Sequence, residues 1–334
     1  MKPNAPTPSM QSHAKARTLA EVTATLGSTG SVAGTLPSGF EPLDTSLEGG
    51  FKTRELTLIG GVPGIGKTAA TLQWARNMAY AGFPVVYVCY EHDETALLGR
   101  LLALEVGNLN GGNGLAAVGG TREIIRQIVR GERDLDHELS SNMLMRAAYG
   151  RLETYANNLA LVRGSAIETG LEAINAYATA VGPGGAIFID YLQKIPGAPG
   201  ADDGEKVTHQ AEGLKETAML HDVAVIAVVA GDQSGLNVRR IKMHNLRGAA
   251  GLAYESDVVI MLNDKYLAVS KRHSAHDPVR AEGFKRQVVF SVDKNRDGQA
   301  NLDIEFTKDF PHYRFDPHGA FVEDKLIDEL LYPE

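Results

Sequence analysis

The chain has 334 residues, of which 43% are hydrophobic and 22% charged, and this composition fits one large globular domain or two small ones. The formal net charge of -8 excludes attraction to nucleic acid by bulk electrostatics, so any contact with phosphates has to be local. The only cysteine, Cys89, excludes a disulfide framework, and no apolar run approaches the ~20 residues that cross a bilayer. Without an apolar secretory segment at the N-terminus, we expect a cytoplasmic protein.

Residues 1–36 contain no aromatic side chain and are rich in small and polar residues. This composition predicts a flexible N-terminal tail before a folded domain that spans residues 37–334. Within the tail, Leu19, Val22 and Leu26 recur at helical spacing and predict a short helix. The helix either frays on its own domain or packs as an arm on a neighbouring subunit.

From Phe40 onward, short apolar runs alternate with helical stretches, which predicts an α/β fold with a mostly parallel sheet flanked by helices. A polar turn near the end predicts a C-terminal antiparallel hairpin, and the glycine-rich segment Gly107–Gly120 is expected to be a mobile loop. The predicted strands are Leu56–Ile59, Val85–Cys89, Leu159–Val162, Ala186–Ile189, Val223–Val229, Val258–Leu262, Val288–Val292 and Asn301–Phe306. The predicted helices are Lys67–Tyr80, Glu94–Glu105, Thr121–Arg130, Leu139–Asn157, Ile167–Val181 and Gln210–His221.

A phosphate-binding loop follows the first long strand. Residues 61–68 have the pattern G-x-x-x-x-G-K-[ST] between a predicted strand and a predicted helix, the setting that a P-loop requires. Its backbone N–H groups and the helix N-terminus favour phosphate oxygens, Lys67 can reach the β- and γ-phosphates, and the Thr68 hydroxyl can hold Mg²⁺. The residues predicted to bind ATP are Gly61, Val62, Pro63, Gly64, Ile65, Gly66, Lys67, Thr68 and Ala69.

Two carboxylates follow other predicted strands. Asp190 comes directly after Ala186–Ile189, at the carboxyl edge where α/β sheets bind ligands, and is predicted to be a second Mg²⁺ contact rather than a helix cap. Because Tyr191–Gln193 supply no acid, the group that orients the attacking water is predicted to be Glu91, directly after the Pro84–Tyr90 strand. The alternative is that Glu91 is a surface cap.

These segments, in this order, resemble the motor domain of DnaB-type hexameric helicases, which are RecA-like P-loop ATPases. The resemblance covers about residues 37–315. Besides the P-loop, it is carried by Gly39–Asp44 with Gly49 and Gly50, Tyr90 and Glu91, Arg100–Ala103, Ile189–Gln193, Asn245–Gly248, Asp257–Val259 and Lys294–Gly298. The resemblance implies Mg-ATP hydrolysis by a ring, usually of six subunits, with ATP at the subunit interfaces.

The resemblance also implies that Lys294 and Arg296 act on the γ-phosphate of a neighbouring subunit. The hairpin offers these cations no carboxylate partner except Asp293 and Asp297 beside them. A cation from a neighbouring subunit can stabilise the negative charge of the phosphoryl transition state. The alternative is an ordinary polar hairpin turn.

Three features depart from the family pattern. Residues 1–36 provide no counterpart of the helical N-terminal domain of replicative helicases. Ala230 stands where the family has a glutamine that senses the γ-phosphate, and Gln233 follows three residues later, so this sensor is either shifted or lost. Tyr266–Arg286 adds a basic stretch before the hairpin. These departures bear on duplex unwinding more than on ATP hydrolysis.

RecA-like rings hold nucleic acid on loops that face the central channel. Pro196–Lys206 carries three acids that repel phosphate, whereas Gly231–Arg247 is basic after Asp232. The second loop either follows phosphates or is a solvated charged loop, and it lacks aromatic residues for base stacking. Its candidate contacts with DNA are Arg239, Arg240, Lys242 and Arg247.

The sequence therefore predicts a ring-forming Mg-ATPase that acts on single-stranded DNA as a DnaB-like helicase or translocase. One alternative is a regulatory ATPase of the KaiC or RadA kind, whose ATP-dependent oligomer acts on a protein partner. A second is a nucleotide-gated assembly protein with very slow turnover.

Overall fold

The computed structural model describes Leu19, Ala20 and Thr23 together with residues 34–110, 115–197, 202–235, 237–269 and 278–327. The chain divides into two compact units, residues 1–32 and 33–334. In the first unit Leu19 and Ala20 are helical, and the Thr23 hydroxyl donates to the Leu19 carbonyl at 2.8 Å. The predicted apolar positions Val22 and Leu26 lie outside the described residues. Within the described ranges, no helix is both long enough and apolar enough to cross a membrane.

The second unit alternates strands and helices as predicted. Its strands are β1 (Thr35–Leu36), β2 (Phe51–Lys52), β3 (Leu56–Gly61), β4 (Val85–Cys89), β5 (Leu159–Arg163), β6 (Ala186–Asp190), β7 (Ala224–Val228), β8 (Val258–Asp264), β9 (Gln287–Asn295), β10 (Leu302–Asp309), β11 (Arg314–Phe315) and β12 (Ala320–Phe321). Its helices are α1 (Leu43–Ser46), α2 (Lys67–Tyr80), α3 (Glu94–Leu109), α4 (Leu115–Val129), α5 (Leu135–Ser141), α6 (Met143–Glu153), α7 (Leu171–Val181), α8 (Asp203–His221), α9 (Ala249–Glu255), α10 (Lys265–Ala268) and α11 (Pro278–Phe284). Short 3₁₀ turns cover Leu192–Lys194, Met243–Asn245 and Phe310–His312.

One large sheet has the strand order β11-β10-β9-β8-β3-β7-β6-β4-β5, and β12 pairs with β10. The six strands from β8 to β5 are mutually parallel, whereas β9, β10 and β11 are antiparallel. The predicted fold class, a mostly parallel sheet with a C-terminal antiparallel hairpin, is confirmed. Strands β1 and β2 form a separate antiparallel pair.

Alternating side chains of the strands fill two cores, one on each face of the large sheet. In β6, Phe188 packs on the face that carries Trp74 of α2, while Ile187 and Ile189 pack on the face that carries Leu214 of α8. Because helices cover both faces, the central strands are mostly apolar on both faces and appear in the sequence as short hydrophobic runs; Thr57 in β3 and Asp190 at the end of β6 are buried polar exceptions.

The strand register separates the two ends of the sheet. Gly61 at the end of β3 lies opposite Leu262, so the P-loop begins at the carboxyl edge of the parallel strands. Val258, at the start of β8, pairs with Thr57 on one side and with Asn295 on the other. The tip of the β9–β10 hairpin therefore lies at the end of the sheet where the parallel strands begin. The length of β3, about five residues or roughly 16 Å, separates it from the P-loop.

Two predicted elements are wrong. The segment expected to be a mobile loop contains the end of α3 and the start of α4; Gly107 lies inside α3, where a Cβ would stand 2.7 Å from Cβ of His312. This glycine permits close packing rather than motion. The single helix predicted over Leu139–Asn157 is two helices, because Asn142 begins a new one by accepting the N–H groups of Leu144 and Met145.

Candidate nucleotide-binding site

A cavity of about 590 Å³ opens at the carboxyl edge of the sheet. Six of the nine residues predicted to bind ATP line it: Pro63, Gly64, Gly66, Lys67, Thr68 and Ala69. Gly61, Val62 and Ile65 do not line the cavity; Gly61 ends β3, and Ile65 is buried in the core. The loop thus has the strand–loop–helix setting that the sequence predicts.

Gly66 shows why a glycine stands at the start of α2. Its φ of 107° is left-handed, and a Cβ there would lie 2.7 Å from Phe315 and 2.8 Å from Phe310. Any other residue would therefore be strained in its backbone and would push these two rings away. The rings belong to the segment after β10, which closes one side of the cavity.

The Lys67 ammonium donates to the carbonyls of Gly61 at 2.7 Å and Val62 at 3.0 Å. Burial lowers the pKa of Lys67, while the nearby carboxylates of Asp190 and Glu91 raise it. The loop therefore holds this cation against its own backbone, within the cavity and beside two acids.

The Thr68 hydroxyl donates to Asp190 Oδ2 at 2.7 Å, and the hydroxyl of Tyr87 donates to the same oxygen at 3.2 Å. Asp190 is only 2% exposed, and burial raises its pKa above the usual range. The two predicted metal contacts, Thr68 and Asp190, are thus adjacent. A hydroxyl oxygen beside a desolvated carboxylate suits Mg²⁺, which takes one or two protein oxygens and completes its shell with phosphates and water.

Glu91 lies in the same cavity as Lys67 and Asp190. Strands β4 and β6 pair with Cys89 opposite Asp190, and the Tyr90 N–H donates to the Asp190 carbonyl at 2.7 Å, so both chains leave the sheet side by side. The alternative interpretation of Glu91 as a cap is wrong, because the side chain that caps α3 is Asp93, which accepts the Ala96 N–H at 2.8 Å.

The sequence interpretation missed a cationic and aromatic wall of the cavity. Arg100 and Arg122 place their guanidinium groups 5.3 Å and 5.2 Å from the centre of the Tyr313 ring. Arg100 also contacts His92 Nε2 at 2.7 Å, and burial and Arg100 lower the pKa of His92. Arg122 and Tyr313 are 191 positions apart, so no local pattern could have linked them.

The glutamine expected after β7 is not replaced by Gln233, which is exposed and does not line the cavity. Ala230 does line it, and its backbone N–H donates to Gln193 Oε1 at 3.2 Å. Among the described residues that line this cavity there is no glutamine.

The hairpin cations lie at the other edge of the sheet. Lys294 donates to the carbonyls of Ala253 at 2.7 Å and of Ser256, at the end of α9, where the helix dipole favours a cation. Arg296 pairs with Asp257 at 3.0 Å. The expectation that only neighbouring acids were available is therefore wrong, because Asp257 approaches Arg296 from the segment before β8.

The basic loop has less free charge than its sequence indicates. Arg240 is buried, pairs with Asp303 of β10 at 2.5 Å and donates to Ser291 Oγ at 3.1 Å. Lys242 pairs with Asp293 at 2.9 Å, and the Arg239 side chain donates to the Val269 carbonyl at 3.1 Å. For Arg240, the predicted contact with DNA is wrong, because its acid partner comes from a distant strand. Arg247 remains exposed beside Asp203, at 3.4 Å.

We expect Arg240→Ala to lower the free energy of unfolding by about 3 kcal/mol, the low end for breaking a buried ion pair, because Asp303 would lose its cationic partner and keep only the Ser291 hydroxyl. The matched variant Arg247→Ala removes an exposed pair and should change it by less than about 1 kcal/mol. Urea unfolding followed by circular dichroism measures both. Equal, small effects of the two substitutions would show that Arg240 has no structural role.

Two family models match the chain. The model described as "ATPase: KaiC" matches residues 36–144, and the model described as "DnaB-like helicase C terminal domain" matches residues 136–315, more than half of the chain. The matches meet within α5 and α6, so together they span almost all of the large sheet.

The chain is similar to the replicative DNA helicase DnaB of Rickettsia bellii, with 24% identity over 261 residues that cover 75% of this chain and 49% of the helicase. It is also similar to the replicative DNA helicase DnaC of Bacillus subtilis, with 24% identity over 298 residues that cover 85% of this chain and 58% of the helicase. The chain thus spans about half the length of these relatives.

Among solved structures, a DnaB-like replicative helicase is similar with a TM-score of 0.65 and 21% identity, covering 89% of this chain and 65% of that chain. This likeness confirms the predicted RecA-like fold. The family model over residues 136–315 agrees with the resemblance that the motifs indicate. The chain therefore belongs to the family of DnaB-like helicase C-terminal domains.

Proposed function

We propose that the protein hydrolyses Mg-ATP as a ring-forming motor that acts on single-stranded DNA. Family membership makes the chain an ATPase domain; the metal, the ring and the DNA are our proposal. The observation that carries it is the meeting of four groups in one cavity: the Lys67 ammonium, the Thr68 hydroxyl, the buried Asp190 and the Glu91 carboxylate.

In this proposal the P-loop binds the triphosphate, and Thr68 and Asp190 hold Mg²⁺. The metal would neutralise charge between the β- and γ-phosphates. Its charge would also offset the desolvation that now raises the pKa of Asp190. Glu91 lines the same cavity and would orient the attacking water.

Lys294 and Arg296 would act on the ATP of an adjacent subunit. Their position supports this role, because the strand register puts them at the edge of the sheet away from their own P-loop. A planar guanidinium suits the spread charge of the transferring phosphoryl group.

For DNA, the exposed Arg247 is the candidate that remains most available, and Lys242 would have to leave Asp293 to reach a phosphate. The matches to helicases over most of the chain favour DNA over a protein partner, the KaiC-like or RadA-like alternative. The cytoplasmic setting and a subunit number of six remain predictions.

The experiment is the ATPase rate with and without a single-stranded oligonucleotide, measured together with the mass in solution by light scattering. We expect a basal rate, a several-fold stimulation by the oligonucleotide, and a mass that is a multiple of the chain mass with Mg-ATP. DNA affinity should fall with salt, and Arg247→Ala should reduce the slope by about one unit if it contacts a phosphate. No stimulation and no salt-dependent affinity would favour the protein-partner alternative.

A further inference from the structure

A buried carboxylate, Asp257, lies at the edge of the sheet opposite the P-loop and is 3% exposed. Its Oδ2 accepts the backbone N–H of Leu56 at 2.8 Å and the ammonium of Lys215 at 2.7 Å. Its Oδ1 faces the Nη1 of Arg296 at 3.0 Å. The two oxygens therefore have different partners: Oδ2 contacts β3 and Lys215, and Oδ1 contacts the hairpin.

The fixed oxygen makes Asp257 a rigid support. Leu56 is the first residue of β3, the strand that continues into the P-loop, and Lys215 belongs to α8. Lys215 also donates to the Arg54 carbonyl at 2.9 Å, so its ammonium is held from two sides. Lys215 and a backbone N–H thus satisfy Oδ2 and offset part of the desolvation of Asp257, while Oδ1 is left to Arg296.

Arg296 is held by the segment around Asp257 and is still accessible. Its backbone N–H donates to the Asp257 carbonyl at 2.9 Å, and its Nη2 donates to the Tyr254 carbonyl at 2.9 Å. The side chain is 48% exposed. A guanidinium has five N–H donors, so these contacts leave donors for a phosphate oxygen.

The exposure of Arg296 distinguishes a positioning role from a stabilising one. Because the Arg296 side chain is half exposed, water screens its charge, and the ion pair contributes less to folding than a fully buried pair would. A long arginine side chain that is free in solution, however, loses rotamer freedom when it has to meet a phosphate, and a preset guanidinium loses less. Asp257 provides that preset orientation because its own position is fixed by β3 and α8.

We propose that Asp257 is a positioning residue that holds the Arg296 guanidinium ready for the γ-phosphate bound by an adjacent subunit. This rests on the proposed function, in which Arg296 acts in trans. Asp257 does not touch the nucleotide; it acts only through Arg296.

The test is Asp257→Asn, which preserves shape and keeps an oxygen for Leu56. We expect kcat to fall about 10- to 30-fold, while KM for ATP, nucleotide affinity and assembly mass change less than about 2-fold, since only a transition-state contact is weakened. In the Arg296→Ala background, Asp257→Asn should cause no further loss of kcat, because the group it positions is gone. Asp222→Asn, a partly exposed aspartate paired with Arg54 at 2.9 Å, is the matched control and should keep full activity.

If Asp257→Asn melts too low to assay, Asp257→Glu is used instead. It keeps the charge beside Lys215 but moves the oxygen that faces Arg296 by one methylene, and kcat should again fall with KM unchanged. Normal or raised kcat in both variants, with Arg296→Ala inactive, would overturn the inference and leave the proposed function standing. Full activity of Arg296→Ala would instead show that Arg296 has no role in hydrolysis, and the proposed action on a neighbouring subunit would be wrong. Losses that add in the double variant would mean that Asp257 acts on the fold and not through Arg296.

Discussion

Glu91→Gln is expected to bind Mg-ATP normally and to lose about 100-fold or more of the hydrolysis rate, the range for a group that handles a proton in the transition state. The substitution keeps the size of the side chain in a cavity that contains Lys67 and Asp190, so the phosphate and metal contacts stay intact. The measurements are single-turnover hydrolysis and the affinity for a fluorescent ATP analogue with Mg²⁺.

Glu94→Gln is the control for this variant. Glu94 is an exposed glutamate three residues later that accepts the Arg163 N–H at 3.0 Å and does not line the cavity. Its substitution should change the rate by less than about 3-fold, since it removes only a surface charge. A loss of 10-fold or less for Glu91→Gln would assign the water-orienting role to another group.

The same variant tests catalysis between subunits. Glu91→Gln and Arg296→Ala should each be nearly inactive, but chains that are mixed after dissociation should regain activity. An interface that joins two different surfaces can pair the intact Glu91 of one chain with the intact Arg296 of another. Mixtures that stay as inactive as each parent would show that Arg296 does not act on the ATP of a neighbouring subunit.

Lys67→Ala is expected to abolish measurable turnover and to weaken ATP binding at least ~100-fold. The ammonium is the one cation of the P-loop segment, residues 61–69, and two charge-assisted hydrogen bonds to phosphate contribute about 3–6 kcal/mol together. The substitution removes two hydrogen bonds to the carbonyls of Gly61 and Val62 but no side chain of the hydrophobic cores, so the variant should still fold.

The control for Lys67→Ala is Lys285→Ala, which removes an exposed lysine that pairs with Glu282 at 2.7 Å. Its basal ATPase rate should be unchanged, because no part of the cavity is touched. Calorimetric titration with ATP and a coupled phosphate-release assay give both quantities. Turnover of Lys67→Ala within 10-fold of the parent would refute the P-loop assignment.

The sequence predicted those parts of the site in which a functional side chain lies next to a recognisable strand or loop pattern. The P-loop is a contiguous pattern, and Asp190 and Glu91 each follow a short apolar run that was predicted to be a strand and is one, β6 and β4 respectively. Parallel strands end at a common edge, so chain position alone indicated that these groups meet.

The contacts that the sequence did not reveal join distant residues. Asp303 lies 63 positions from Arg240, and Asp257 lies 39 positions from Arg296. Charge patterning counts the lysines and arginines of a loop but not the acids that other strands bring to it. The sequence therefore indicated a basic loop, although Arg240 and Lys242 are paired with acids in the structure. It also indicated a hairpin without a distant acid partner, although the buried Asp257 pairs with Arg296.

The separation of P-loop and hairpin tip by the length of β3 has a consequence for how activity depends on assembly. If each nucleotide is completed by the next chain, an isolated chain has no complete centre, and an open row of n chains has n − 1. Only a closed assembly gives every bound ATP both an acid and an arginine. Specific activity would then report closure, rising with protein concentration and levelling off when no terminal subunits remain.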